Sequence, residues 1–283
     1  MDISEILVNM YVKLIQLPLQ FVGVRRRNIF LAHICQKTAP YIAVSVGGED
    51  LKFYCPGVIP EFRARTLLTK EPETIEWIDS FESGAVFFDI GANVGCYTLY
   101  ACMRGVRTIC FEPSAFNYFV LCENIRINGF DEVATAYCVA FSDETGAGML
   151  NMMDPEVGSA NVAFGDKLPT FTASGQQFRA NFRQGMVGYK VDDFLEVFNI
   201  DVPTYIKVDV DGIEEKILDG AMNTLQHECV RSVLIEINED DSAKEHILKR
   251  MTQIGFELSH KGDRMSLCNL NSNLANFIFV RKY

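Results

Sequence analysis

The most constraining feature of this sequence is VFFDIGANVGCYT at residues 86–98, where an apolar run breaks into an acid and closely spaced small residues. Asp89, Gly91, Asn93 and Gly95 form the pattern D-x-G-x-N-x-G, and the helical pattern YTLYACM overlaps its end. We predict a strand, a tight loop and a helix, which together present backbone N–H groups to a nucleotide-like ligand. The loop differs from the dinucleotide fingerprint G-x-G-x-x-G, and its acid suits a ligand with an amine or a hydroxyl better than a bare pyrophosphate.

A second apolar run, TICFEPSAFNYF, reaches Glu112, which follows Asp89 by 23 residues. In strand-helix-strand nucleotide folds, an acid at about this separation binds ribose hydroxyl groups. Such a hydrogen bond is charge-assisted and contributes about 1.5–3 kcal/mol. The pattern therefore predicts a ribose-binding role for Glu112, with a solvated carboxylate at a strand end as the alternative.

A third segment, YIKVDVDGIEEKILDGA, leads from an apolar strand into an amphipathic helix. It carries Lys207, Asp209 and Asp211 at alternate positions, and alternation predicts that all three lie on one face of the strand. Ligands of open α/β sheets bind beyond the carboxyl ends of the strands. We therefore expect Asp89, Asp209 and Glu236, each at such an end, to converge on one crevice.

These motifs, with FEP and ENIRINGF, closely resemble the FkbM family of class I S-adenosylmethionine-dependent methyltransferases, from about residue 60 to the C-terminus. The resemblance implies a class I methyltransferase fold, S-adenosylmethionine as the cofactor, and O-methylation of sugars or other secondary metabolites. The chain departs from the family pattern at Asp211, where many relatives have glutamate. The resemblance also implies three groups of cofactor-binding residues: the loop residues Asp89, Gly91, Asn93 and Gly95, the ribose ligand Glu112, and, on the adenine side, Asn128 with Ala140, Phe141 and Ser142.

The rest of the chain alternates between strand and helix patterns, which favours an α/β fold with a mainly parallel sheet. With the resemblance, we expect a Rossmann-like, mostly parallel seven-stranded sheet flanked by helices, and a helical N-terminal extension. Residues 1–80 are predicted to be a helical and hairpin accessory region, and residues 81–283 the methyltransferase domain. YIAVSV and LKFYC predict the hairpin, and the mostly helical residues 60–81 are expected to close one side of the site. Further strands are predicted at VATAYCVAF, SVLIEIN, GFELSH and NFIFVRK, and helices at about 114–127, 191–199, 213–226 and 242–254.

Between Asp143 and Tyr189 the sequence loses clear periodicity and becomes rich in glycine, serine, asparagine and phenylalanine. A segment of this length is usually a lid, a binding loop or disorder, and its phenylalanines argue against disorder. We expect a β-hairpin or lid over the acceptor pocket. The alternative is an ordered surface segment without catalytic contact.

Composition excludes several classes of protein. The net charge of −11, with Arg25–Arg27 as the only tight basic cluster, argues against nucleic acid as the acceptor. The nine cysteines contain no C-x-x-C pair and are interpreted as reduced residues of a cytoplasmic protein, without a metal or a disulfide framework.

The N-terminal segment MDISEILVNMYVKLIQLPLQFVGVRRRN is apolar along much of its length. Polar residues interrupt it too often for a membrane span, and its charges lie on the wrong side for a secretory signal. We favour an amphipathic helix that packs on the catalytic domain or on a second subunit in a homodimer. Peripheral contact with the inner face of a membrane stays open as the alternative.

The chemistry of methyl transfer assigns the catalytic candidates. Holding the acceptor oxygen at attack distance supplies up to about 7–11 kcal/mol, and a base adds about 100- to 10,000-fold. Asp209 is the first candidate for the base or for an acceptor-orienting carboxylate, followed by Glu236 with Asn238 as a neighbour. Lys207 lies inside an apolar strand, so we expect it to pair with Asp209 or Glu236. His260 is an alternative base.

Two other functions stay open. The DVD at residues 209–211 resembles the metal-binding D-x-D of nucleotide-sugar glycosyltransferases. A module that binds S-adenosylmethionine without catalysis is the non-enzymatic alternative. The preferred prediction is an O-methyltransferase whose acceptor is a hydroxyl group of a small molecule or a sugar, in glycan or secondary-metabolite biosynthesis.

Overall fold

The structure, a computed structural model, describes residues 3–165, 172, 176–240, 243–262 and 273–282. The chain divides into two compact units, Met1–Pro40 and Tyr41–Tyr283. The first unit contains two helices, α1 (Ile3–Leu19) and α2 (Val24–Lys37). Most of its large apolar side chains are exposed. Among the described residues, no helix is both long enough and apolar enough to cross a membrane.

The second unit contains thirteen strands and eight helices in the part of the chain that the structure describes. In chain order these are β1 (Tyr41–Val46), β2 (Glu49–Tyr54), α3 (Val58–Arg65), α4 (Pro72–Asp79), β3 (Val86–Ile90), α5 (Cys96–Met103), β4 (Arg107–Phe111), α6 (Ala115–Asn128), β5 (Ala134–Tyr137), β6 (Ala140–Phe141), β7 (Gly146–Met152), β8 (Val162–Phe164), β9 (Phe182–Tyr189), α7 (Val191–Phe198), β10 (Tyr205–Val208), α8 (Glu214–Asp219), α9 (Met222–Gln226), β11 (Ser232–Asn238), α10 (Ala243–Gln253), β12 (Phe256–Lys261) and β13 (Leu274–Arg281).

The unit boundary after Pro40 differs from the predicted boundary at residue 80. The predicted hairpin exists as β1 and β2, but it packs on α6. The backbone N–H of Tyr54 donates to Oδ1 of Asn124 at 2.7 Å, and that of Lys52 to Oδ1 of Asn128 at 2.9 Å. These long-range contacts attach the hairpin to the sheet-bearing unit.

A seven-stranded sheet forms the core of this unit, in the order β12-β13-β11-β10-β3-β4-β5. Strand β13 runs antiparallel to both of its neighbours, and the other pairings are parallel. Strands β10 and β11 are almost completely buried, as expected of parallel strands covered by helices on both faces. The predicted α/β class I methyltransferase fold, mostly parallel and seven-stranded, is confirmed.

Residues 143–189 contribute to a second, four-stranded sheet in the order β6-β9-β7-β8. The aromatic ring of Phe164 packs against Gly188, where an added Cβ would lie 2.2 Å from a ring carbon. The predicted strand at VATAYCVAF is divided between the two sheets, because β5 joins the large sheet and β6 the small one. The predicted helix 213–226 is also divided, and an added Cβ at Gly220 would lie 2.2 Å from the carbonyl oxygen of Ser142.

Candidate active site

The loop after β3 joins the carboxyl ends of two central strands. Gly91 has φ +88°, and a Cβ at this position would lie 1.9 Å from the carbonyl oxygen of Asp209. Asp209 in turn donates its backbone N–H to the carbonyl oxygen of Ile90 at 3.0 Å. Only glycine permits this backbone-to-backbone approach, which places the first and third sequence motifs side by side.

A cavity of about 360 Å³ opens at this edge of the sheet. Residues from the β3 loop, the end of β4, the end of β10 and β11 line it together with residues of α3 and the segment after it. The lining residues include Gly91, Asn93, Glu112, Asp209, Glu236 and Lys70. Gly91, Asn93, Glu112, Asp209 and Glu236 therefore lie around one cavity. The segment predicted to close one side of the site does line it, through Phe62, Arg63, Thr66, Leu67 and Lys70.

Glu112 is buried in the lining of this cavity, where three donors hold its carboxyl group. The backbone N–H of Asn93 donates to Oε2 and that of Ser114 to Oε1, both at 2.8 Å, while Nδ2 of Asn117 lies 3.5 Å from Oε1. Burial raises the pKa of Glu112 to about 7, and the two backbone N–H groups limit that rise. The carboxyl group is thus fixed in orientation and close to its titration point at neutral pH.

Three carboxyl groups lie close together: Glu71, Asp209 and Glu236, here called the carboxylate cluster, of which Asp209 and Glu236 line the cavity. One oxygen from each lies within 4.8 Å of the others. Lys207 is completely buried and forms an ion pair with Asp209, one of the two partners expected from the sequence. Lys70 forms a second ion pair with Glu71 at 2.7 Å. Two ammonium groups therefore balance most of the charge of three carboxyl groups.

The three carboxyl groups differ in their electrostatic surroundings. Burial acts to raise the pKa of Glu71, but the ammonium groups of Lys70 and Lys207 outweigh it and lower that pKa to about 2. For Glu236, burial and the neighbouring charge of Asp209 raise the pKa well above its usual range. The cluster consequently combines an ionised carboxylate at Glu71 with a carboxyl group at Glu236 whose protonated form is favoured.

Asp211 is not a member of this cluster, although it lines the main cavity. Strand β10 ends at Val208, before both Asp209 and Asp211, so the alternation of the strand does not extend to either aspartate. Oδ2 of Asp211 accepts a hydrogen bond from the backbone N–H of Val162 at 3.0 Å, and burial raises its pKa. The expectation that all three residues lie on one strand face is therefore wrong, because the chain leaves the strand after Val208 and before both aspartates.

The other predicted cofactor residues lie apart from the main cavity. Asp89 is buried and accepts a hydrogen bond from the hydroxyl of Thr98 at 2.6 Å. Gly95 packs against Leu121, 2.5 Å from the position of an added Cβ. Neither lines the cavity, so their contribution is to the shape of the loop and the start of α5.

Asn128, expected on the adenine side, instead donates Nδ2 to the carbonyl oxygen of Lys52 at 2.7 Å. Its amide holds the β1–β2 hairpin onto α6 and is not a lining group of the cavity. Ala140 and Phe141 line a smaller adjoining cavity of about 30 Å³, which shares Gly91 and Pro113 with the main one. The structure thus brings these two residues, but not Asn128, next to the predicted cofactor loop.

A further cavity of about 230 Å³ adjoins the carboxylate cluster and shares Asp211 and Glu236 with the main cavity. Asn238 lines it, as does Phe178 from the segment predicted to form a lid. Phe171, another phenylalanine of that segment, lies outside the described residues. The alternative base His260 is exposed on the outer strand β12 and lines neither cavity.

Sequence patterns missed Glu71, Lys70 and Ser159 as site residues. Glu71 and Lys70 precede the helix-starting Pro72 and resemble ordinary solvated charges at a helix start. Ser159 belongs to a segment without periodicity. The sequence does not show that the charge before Pro72 is buried, because its burial depends on the packing of α4 over the sheet.

The chain resembles known proteins in a family model, in overall sequence and in three-dimensional structure. A family model described as "Methyltransferase FkbM domain" matches residues 89–258. The hexuronic acid methyltransferase AglP of Haloferax volcanii is 24% identical over 204 residues, which cover 71% of this chain and 75% of that protein. The structure of methyltransferase FkbM from Methylobacillus flagellatus has 17% identity and a TM-score of 0.45, with 77% of this chain and 52% of that one covered. The chain therefore spans about half the length of that structure.

M. capricolum TrmK, solved in complex with S-adenosyl-homocysteine, has 9% identity and a TM-score of 0.44, with 74% of this chain and 67% of that one covered. The sequence-family match covers more than half of the 283 residues and includes Asp89, Glu112, Asp209 and Glu236. The protein accordingly belongs to the FkbM methyltransferase family.

Proposed function

We propose that this methyltransferase uses S-adenosylmethionine to methylate a hydroxyl group of a sugar or a related small molecule. One observation carries the proposal. The β3 loop, Glu112, Asp209 and Glu236 all line one cavity. The proposed donor-binding motif and a proton-accepting group therefore face the same cavity, which suits an in-line transfer between a bound donor and a bound acceptor.

The groups near Glu112 fit the proposed cofactor. Oδ1 of Asn93 and Oγ of Ser159 are buried without a hydrogen-bond partner, and both residues line the cavity with Glu112. Together with the carboxyl group they offer acceptors for hydroxyl or ammonium groups, which S-adenosylmethionine carries. When bound, S-adenosylmethionine supplies an activated methyl group on a sulfonium sulfur.

In the proposed mechanism Asp209 takes the proton of the acceptor hydroxyl. Its side chain is 23% exposed, so an acceptor can reach it, whereas that of Lys207 is only 1% exposed. The buried ammonium group of Lys207 forms an ion pair with Asp209 and holds its side chain in place. The methyl group would pass from the sulfonium sulfur to the acceptor oxygen, with S-adenosylhomocysteine as the leaving group. Asp209 takes the hydroxyl proton, so the aspartic acid is neutral at the end of the reaction and must release that proton before the next cycle.

Glu236 has the complementary role of a hydrogen-bond donor. Burial and the charge of Asp209 raise the pKa of Glu236, which favours its protonated form, and in that form it donates a hydrogen bond to the acceptor. A donor at one side of the hydroxyl oxygen and a base at the other fix its orientation toward the methyl group.

The charges of the adjoining cavity support an uncharged acceptor. Among its described lining residues are four acids, Asp211, Glu214, Glu215 and Glu236, and one basic residue, Lys216. Of these described lining residues only Lys216 could pair with a substrate carboxylate, whereas a carboxyl group can hydrogen-bond to a substrate hydroxyl group in either protonation state. The relationship to AglP, whose name specifies a hexuronic acid, supports a carbohydrate acceptor, and the acidic lining favours methylation of a hydroxyl group over a carboxylate.

Calorimetry with S-adenosylmethionine and S-adenosylhomocysteine tests the donor, with a nucleotide sugar plus manganese as the control. Radiolabelled S-adenosylmethionine and a panel of neutral, amino and uronic acid glycosides then test the acceptor. Mild alkali removes the label from a methyl ester but not from a methyl ether. Alkali-stable label on a neutral glycoside supports the proposal, and alkali-labile label on a uronic acid would contradict it.

Membership of the FkbM methyltransferase family replaces the glycosyltransferase alternative. Asp211, the second acid of the supposed D-x-D, is absent from the metal-ligand group formed by the described residues, and both Asp209 and Glu71 already pair with lysine. The binding-module alternative predicts affinity for S-adenosylmethionine without transfer to any member of the glycoside panel.

A further inference from the structure

The segment between β7 and β8, residues 153–161, is here called the bridging loop. One of its carbonyl oxygens, that of Ser159, accepts hydrogen bonds from two asparagine side chains that line the main cavity. Nδ2 of Asn93 and Nδ2 of Asn117 donate to the carbonyl oxygen of Ser159 at 3.1 and 3.2 Å. Oδ1 of Asn117 also accepts from the backbone N–H of Gly158 at 2.7 Å. The loop is therefore fastened to residues adjacent to Glu112.

Helix α3 holds the loop from the opposite side. Nε of Arg63 donates to the carbonyl oxygen of Gly158 at 2.6 Å. Gly158 has φ +82°, and an added Cβ would lie 3.0 Å from Cγ2 of Ile59 and 3.1 Å from the backbone nitrogen of Pro60. This close packing fixes the position of the next residue, Ser159, before any ligand binds.

Despite this network, two polar atoms next to the cavity lack partners. Ser159 is 8% exposed, and its hydroxyl oxygen makes no hydrogen bond. Oδ1 of Asn93 is also buried without a hydrogen bond, although Nδ2 of the same side chain donates to the carbonyl oxygen of Ser159. Buried polar atoms in native structures nearly always have partners, so a pair without them beside a cavity points to a ligand.

We propose that Ser159 of the bridging loop binds a ribose hydroxyl of the cofactor, with Asn93 as the second acceptor and Glu112 binding the neighbouring hydroxyl. The inference rests on the proposed use of S-adenosylmethionine. Nδ2 of Asn117 lies 3.2 Å from the Ser159 carbonyl oxygen and 3.5 Å from Oε1 of Glu112, so the loop and Glu112 occupy one corner of the cavity. A diol offers two donors, and this corner offers acceptors on both sides of it.

The proposal gives a cofactor-binding role to the loop of the four-stranded sheet. From the sequence, residues 143–189 were expected only to cover the acceptor pocket. The bridging loop connects two strands of that sheet, and Val162, the residue after it, donates its backbone N–H to Asp211, which also lines the main cavity. Ser159 is attached to Glu112 through Asn93 and Asn117, which donate hydrogen bonds both to the Ser159 carbonyl oxygen and to the Glu112 carboxyl group. The expected ligand of its hydroxyl is therefore the cofactor and not the acceptor.

The test compares S-adenosylhomocysteine with its 2′-deoxy and 3′-deoxy analogues by calorimetry on the full chain and on Ser159→Ala. We expect Ser159→Ala to weaken S-adenosylhomocysteine binding about three- to tenfold, as for loss of one hydrogen bond. The wild type should discriminate against one deoxy analogue by a similar factor, and Ser159→Ala should bind that analogue as tightly as the wild type does. Ser45→Ala, a serine exposed on β1, is the matched control and should change nothing.

Thermal unfolding without ligand separates this role from a structural one. Because the Ser159 hydroxyl has no partner, Ser159→Ala should leave the melting temperature unchanged or raise it. Equal affinity of Ser159→Ala and the wild type for S-adenosylhomocysteine would overturn the inference, as would an equal loss for the parent compound and both analogues. If the wild type bound neither S-adenosylhomocysteine nor S-adenosylmethionine, the proposed function itself would fail.

Discussion

Lys207 and Asp209 form an ion pair at the carboxyl end of β10, and the Lys207 ammonium group also lies 4.8 Å from the centroid of the Tyr97 ring. The lysine is completely buried, while the aspartate faces the cavity. An internal cation thus supports a carboxylate that is accessible to a substrate. The neighbouring acids Glu71 and Glu236 make this cation necessary, since three carboxyl groups cannot all be charged at such separations without compensation.

Replacing Lys207 with methionine should destabilise the fold by about 3–5 kcal/mol, because it leaves buried carboxylates without their cation. Urea unfolding of Lys207→Met measures this change. The matched control is Arg107→Met, which removes the exposed ion pair with Asp201 and should cost at most about 1 kcal/mol. Similar costs for both variants would contradict a central electrostatic role for Lys207.

Asp209→Asn should reduce turnover by about 100- to 10,000-fold, the usual contribution of a positioned general base. It should change the affinity for S-adenosylhomocysteine much less, because the hydrogen bonds that hold Glu112 come from Asn93, Ser114 and Asn117 and do not involve Asp209. Steady-state kinetics and calorimetry give the two quantities, with the exposed Asp201→Asn as the control. Wild-type turnover in Asp209→Asn would remove it as the base, and Glu236→Gln would then be the next variant.

Glu112 should make cofactor affinity depend on pH. Its pKa is raised to about 7, mainly by burial, and the ionised carboxylate is the better acceptor for ribose hydroxyl groups. Affinity for S-adenosylhomocysteine should therefore rise as the pH increases from 6 to 8. Calorimetry across this range should show a flat profile for Glu112→Gln, while the exposed Glu132→Gln should retain the wild-type slope.

The same raised pKa has the opposite consequence for stability without ligand. The folded state binds the Glu112 proton more tightly than the unfolded state does, so its contribution is complete below the unfolded pKa of about 4.5 and declines as the pH rises to about 7. At about 1.4 kcal/mol per pKa unit, the decline amounts to about 3 kcal/mol. The free energy of unfolding, measured in urea between pH 4.5 and 7, should fall by this amount more in the wild type than in Glu112→Gln. The same pH dependence in both proteins would contradict the raised pKa of Glu112.

The first unit is expected to mediate self-association. Its described helices expose large apolar side chains, including Ile3 (74%), Leu14 (69%) and Phe21 (86%), whereas every lining residue of the main cavity lies in the second unit. A variant that begins at Tyr41 should keep its affinity for S-adenosylhomocysteine and become monomeric in sedimentation velocity. Binding of the full chain to anionic vesicles, with no self-association in their absence, would instead favour the peripheral membrane alternative.

Much of the fold was accessible from short-range patterns. Apolar runs that end in Asp89, Glu112 and Asp209 predicted central strands, because parallel strands covered on both faces must be apolar along their length. The glycines of the β3 loop predicted a turn that other residues cannot adopt. Strand ends of a parallel sheet share one edge, so the sequence also predicted that Asp209 and Glu236 would approach each other.

The tertiary structure alone decided which polar groups complete the site. Glu71 and Lys70 precede α4 and are distant in sequence from the motifs, yet packing places Glu71 within 4.8 Å of two strand-end carboxylates. Ser159 reaches the Glu112 corner only because Arg63 and Asn117 hold the bridging loop there. The side chain of Asn128, expected from the resemblance near the adenine, instead forms hydrogen bonds with the backbone of Lys52 in the hairpin. Local periodicity determines the elements, whereas the partner of a polar side chain depends on long-range packing, and that is why the chemistry of this site required the fold.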